Sequence, residues 1–191
     1  MKPKFPIFAK LLALASLAFV IFAILAIALL PWVHAKALKA FSGDGRIKDL
    51  SVWTPSGYAR RYRVEFDQFP LNRKFEKTYH VKGLPKILWS PARVNLRVHV
   101  DPDRFQAPDL HAKIAVTVSK VTKPIIQFEG EVSKMRAEEW SNAPETAEFY
   151  DENSGNAFSP NPSEKYQIDV LYMADTSIDG LGEFVIDTSG P

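Results

Sequence analysis

A chain of 191 residues without cysteine can form no disulfide, thiolate metal site or cysteine nucleophile. Beside one long apolar segment it has room for a single domain of about 150 residues. Its net charge of +2 hides a division: residues 1–123 carry 21 Lys and Arg against 8 Asp and Glu, residues 124–191 carry 3 against 14. The basic residues are spread along alternating segments with no recognised binding motif, which excludes nucleic acid as an expected partner. The plain expectation is that basic and acidic strands lie side by side and compensate each other.

The first ten residues, with Lys2, Lys4 and Lys10, read as a short basic tail expected on the cytoplasmic side. Leu11–Leu30 then gives twenty residues without a charge and with only Ser16 as a polar member. At about 1.5 Å per residue that spans the ~30 Å hydrocarbon core of a bilayer. Residues 11–31 are therefore expected to form one transmembrane helix, stopped by Pro31, with Trp32 at headgroup level. Val33 and Ala35 flank His34 in a small-x-small cleavage pattern. A cleavable signal has an apolar region of only about 7–15 residues, so the length favours an uncut anchor. Lys36, Lys39, Arg46 and Lys48 on the far side nearly balance the leading lysines. Orientation then rests on the form of the chain start, which places the following domain outside the cytoplasm, periplasmic or extracellular.

Residues 32–57 read as a polar juxtamembrane stalk, of which 36–57 could join the sheet late, and from residue 58 the pattern changes to period two. Tyr62, Val64 and Phe66 alternate with charged residues, as do Val94, Leu96, Val98 and Val100. Leu110, Ala112, Ile114, Val116 and Val118 follow, then Ile126, Phe128 and Val132, and finally Tyr166, Ile168, Val170, Tyr172, Phe184 and Ile186. Alternation buries one face of a strand and leaves the other in water. Turn formers at Thr54–Gly57, Lys82–Pro85, Asp101–Asp103 and Asp179–Gly182 separate these runs. The expected fold is all-β: an antiparallel β-sandwich of about seven or eight strands over residues 58–191, behind one transmembrane helix. Residues 133–163 resist assignment and read as a helical turn with a long loop.

That loop is the first candidate for a contact surface with a protein partner in the cell envelope. It carries Glu138, Glu139, Trp140, Glu148, Tyr150, Asp151 and Glu152. The one candidate metal site is ADTSIDGLGE, where Asp175, Ser177 and Asp179 alternate before Gly180 in the manner of a calcium loop. The bidentate Glu seven residues after Asp179 is replaced by Ile186, so a plain turn is the better account of the run and calcium the weaker one, and no cofactor is otherwise expected. His99 and His111 could face each other across neighbouring strands. Trp53, Trp89, Trp140, Tyr58, Tyr79 and Tyr150 fall near strand ends or loops, where aromatic rings could stack on a sugar or a partner protein, although large aromatics in a sandwich of this size are usually core plugs. Common nucleophile, metalloprotease and phosphate-loop motifs are missing, so a binding module is expected and not an enzyme, with a carbohydrate-binding module, with or without calcium support, as the alternative.

Overall fold

A 32-residue helix, α1 (Ile7–Leu38), leads into two facing antiparallel sheets. The computed structural model describes residues 7–87, 90–99, 111–121, 123–139, 146–150, 155–174 and 179–188, with the backbone alone for 7–9, 136–139, 146–148 and 150. α1 is long and apolar enough to cross a membrane, and its side chains from Lys10 to Leu30 are exposed almost throughout. Such an all-round apolar surface suits lipid and not water.

The helix does not stop at Pro31, as its sequence suggests; it continues for two more turns. Proline removes one N–H and leaves the carbonyl four residues earlier without its usual donor. Helices that span membranes tolerate this where the rest of the segment holds its own hydrogen bonds.

The smaller sheet has the order β1 (Ser42–Gly43), β6 (Phe75–Lys82), β13 (Lys165–Ala174), β8 (Ala112–Lys120), β9 (Lys123–Glu131). The larger runs β10 (Arg136–Glu139), β11 (Thr146–Tyr150), β7 (Ala92–His99), β14 (Leu181–Asp187), β5 (Tyr62–Pro70), β2 (Arg46–Asp49), with β12 (Ala157–Phe158) also on β7. The chain repeatedly changes sheet, and its last two long strands, β13 and β14, lie inside one sheet each. This is the antiparallel sandwich that the alternating pattern implies.

The inward rows form one core. Val94, Leu96 and Val98 of β7, Ile114, Val116 and Val118 of β8, Ile168, Val170 and Tyr172 of β13, and Phe184 and Ile186 of β14 are all buried in it. Stacked rings bridge the elements: Phe66 lies 4.2 Å from Tyr79, and Phe69 4.2 Å from Phe75. On β5 the inward set shifts from Tyr62, Val64 and Phe66 to Phe69, across an irregular register with β14 between Glu183 and Val185. A bulge of this kind turns a strand's facing by one residue.

Three expectations change. Residues 32–57 are not a stalk, because they finish α1 and supply β1, β2 and a hairpin of β3 (Val52–Thr54) and β4 (Gly57–Ala59). Strands of two to four residues at a sheet edge are too short to show alternation. Tyr79 is not a loop aromatic: it lies in β6, 1% exposed in the core. Residues 133–163 contain β10, β11 and β12 after a 3-10 turn at Val132–Lys134, where one long loop was expected.

Candidate functional site

The predicted acidic surface becomes, in part, a sheet edge. β10 is the outermost strand of the larger sheet and pairs with β11 so that Glu138 stands opposite Glu148 and Glu139 opposite Ala147. β11 in turn sets Glu148 opposite Arg97 of β7 and Ala147 opposite Val98. Glu138 and Glu148 therefore share a register row with Arg97, whereas Glu139 belongs to the next row, in line with Val98. Tyr150 pairs with Arg136. Trp140, Asp151 and Glu152 lie outside the described residues.

Inward along the Arg97 row, the sheet carries a charge lattice on the face away from the core. Arg97 Nη1 is 2.6 Å from Glu183 Oε1 and 3.2 Å from Glu65 Oε1. His99 Nε2 reaches the same Glu183 oxygen at 3.0 Å. Glu65 also receives Lys48 at 2.7 Å and Arg46 at 3.1 Å. One step along, Arg63 donates from Nε to Asp187 Oδ2 at 2.6 Å, with both side chains buried.

The cations belong to the basic part of the sequence, while Glu183 and Asp187 belong to the acidic part, so the division of charge along the chain is cancelled across β5, β14 and β7. Buried charges are tolerated when paired and hydrogen-bonded. The signal was present in RRYRVEF, ARVNLRVHVD and EFVID, whose polar alternates were read as simply solvated.

At the end of the sandwich where α1 leaves, His34 is 2% exposed. Its Nε2 lies 3.3 Å from the Arg61 carbonyl oxygen and 3.6 Å from Asp49 Oδ1, and its ring meets Tyr58 edge-on at 6.5 Å. Sequence reasoning found no partner for this histidine, because Asp49, Tyr58 and Arg61 come together only when the β2–β5 ladder forms. Tyr58 also packs against the exposed Trp53 at 5.1 Å.

The remaining candidates form no site among the described residues. Asp175 and Ser177 lie outside the described residues, and Asp179 sits exposed just before β14. No group of three or more His, Asp or Glu side chains among the described residues could hold a metal ion. His99 is in β7 of the larger sheet and His111 precedes β8 of the smaller one, so they are not neighbours across one sheet. An open hollow of about 470 Å³ gathers His111, Lys113, Glu131 and Ser133 at the β8–β9 end. There the Lys134 ammonium, bonded to Glu131, holds that carboxyl below its usual range. Of the aromatic set, Tyr79 is core, Trp89 and Trp140 lie outside the described residues, and Trp53 with Tyr58 remains as one surface pair. Compared with known proteins, the chain matches no family model, no curated protein and no solved structure.

Proposed function

We propose that this chain is a single-pass envelope protein whose sandwich, held outside the cytoplasm by an uncut α1, binds another protein through the β10–β11 edge and does no catalysis. The observation that carries the binding reading is Glu138 opposite Glu148 on the two outermost strands of the larger sheet. Like charges directly opposite each other weaken a ladder. An acidic pair on the end strand of a sheet and its neighbour suits a partner with a basic segment, which can add backbone hydrogen bonds to that strand as well as charge.

His34 supports retention of the anchor. Cleavage after Ala35 would divide α1 and remove a buried side chain that contacts Arg61 and Asp49. The cytoplasmic N-terminus is part of the same proposal and rests on Lys2, Lys4 and Lys10 ahead of the apolar run.

The direct test is capture of partners from solubilised membranes by the wild type and by E138Q/E139Q/E148Q. The reading expects a salt-sensitive partner lost in the triple variant. A variant that keeps every partner refutes the acidic edge as the contact. Protease added to intact cells or spheroplasts checks sidedness: the sandwich is digested if it lies outside.

A further inference from the structure

The end of the sandwich around the base of α1 is built differently from the rest of the surface. β2 runs toward this end and stops at Asp49, opposite Tyr62. The ladder then continues beyond it: Leu50 N donates to Arg61 O at 3.1 Å, and Arg61 N donates to Ser51 Oγ at 3.0 Å. The β3–β4 hairpin follows, with Trp53 opposite Tyr58. The hairpin thus projects past the sandwich on the side where His34 meets Tyr58. It leaves Val52 48% and Trp53 58% exposed. An indole and a valine on a projecting ribbon beside an apolar helix have the placement of interfacial anchors.

The neighbouring part of this end is cationic. Lys82 stands opposite Lys165 across β6 and β13, and Ser42 opposite Lys82. Gly83 closes on the Ala40 carbonyl, which keeps Lys82 beside the helix base. Neither lysine makes an ion pair among the described residues, the nearby Glu164 carboxylate being held by Lys120, although like charges opposite each other weaken a ladder. They line an open hollow of about 540 Å³ with His80 and Gln167. On the same end, the β8–β9 turn holds Val121 80% exposed at φ +60°, a conformation that a β-branched residue rarely adopts.

We propose that this end of the sandwich rests on the lipid surface that α1 enters, with Trp53 in the headgroup–acyl boundary and Lys82 and Lys165 facing anionic headgroup phosphates. The inference rests on the membrane-anchor part of the proposed function. Basic residues near an anionic surface are held there by attraction to the headgroup phosphates. An exposed indole at the boundary adds apolar contact on the side of the hairpin.

The test uses the full chain in nanodiscs whose acyl chains are brominated close to the headgroup. The difference in emission between wild type and W53F isolates Trp53, and that between wild type and W32F isolates Trp32. Bromine is expected to quench both components. Quenching of Trp32 alone overturns this proposal while leaving the anchor in place, and quenching of neither overturns the anchor. Acylation by a water-soluble ester gives a second readout in phosphatidylglycerol and phosphatidylcholine nanodiscs. Lys82 and Lys165 are expected to react about fivefold more slowly in the anionic lipid, with Lys74, before the opposite end of β6, unchanged. Equal rates in the two lipids at Lys82 and Lys165 overturn the headgroup contact.

Discussion

The imidazole of His34, four residues beyond the end of the uncharged apolar run, lies 3.3 Å from the carbonyl oxygen of Arg61, directly before β5 of the sandwich. Helix and domain are therefore joined by a buried contact and not by a loose tether. His34→Ala removes this bond and the ring contact with Tyr58. The Arg61 carbonyl keeps Leu50 N and Ser51 Oγ as donors, so no acceptor is orphaned. The expected loss is about 1 kcal/mol, a fall of several degrees in a thermal melt followed by circular dichroism.

Gly83 makes the second connection at this joint. It holds φ at +74°, and a Cβ there would lie 2.1 Å from the Ala40 carbonyl oxygen. Gly57 also has a positive φ, of +128°, with nothing within 4 Å. Gly83→Ala should therefore destabilise by about 2 kcal/mol or more, and clearly more than Gly57→Ala. Denaturant midpoints of the two variants check this. Equal midpoints would mean that the Ala40 contact contributes nothing.

The Arg63–Asp187 pair is buried on both sides, 8% and 1% exposed. Asp187→Ala leaves the guanidinium without that carboxylate and should cost about 3–5 kcal/mol. Replacing both partners, as in Arg63→Met with Asp187→Leu, should cost less than Asp187→Ala, because no charge is left behind. A double-mutant cycle of Arg63→Met, Asp187→Leu and the two combined, measured by urea unfolding, decides it. A double variant that loses the sum of the two single losses contradicts coupling within the lattice.

Alkaline pH should weaken the sandwich through its tyrosines. Burial pushes the Tyr172 hydroxyl up to about 12, and burial also raises Tyr62 and Tyr79. Tyr172 donates to the Leu71 carbonyl at 2.9 Å and must stay protonated to do so. In the unfolded chain these groups ionise near their ordinary value of about 10. Their contribution is thus complete below pH ~10 and is lost as pH rises through the folded values. Unfolding free energy measured from pH 9 to 12 should fall across that range. Tyr172→Phe should flatten part of the slope.

The core strands were legible because Tyr62–Phe66, Val94–Val98, Ala112–Val118 and Tyr166–Tyr172 alternate for long enough to declare an inward face. β1, β2, β3 and β4 were not, since two to four residues carry no period. β6 was missed for a different reason: Lys77, Thr78, His80 and Lys82 outnumber its two core residues, Tyr79 and Val81. Pro31 is a local helix-breaking signal, and the contacts of His34 with Arg61 and Asp49 that accompany the continued helix come from residues distant in sequence. The acidic residues at 138 and 148 were chosen for composition, but only strand pairing puts them opposite each other. The lattice joins residues up to 124 positions apart, as in Arg63 and Asp187, and no local pattern reports such a pairing.

The most direct test of the central claim, an uncut helix continuous with the sandwich, is the intact mass of the protein extracted from the membrane fraction. The account predicts a chain that still contains Leu11–Ala35, with any trimming confined to the start. A mature chain beginning at Lys36 would contradict it, because α1 would then have been cut next to His34 and the sandwich released.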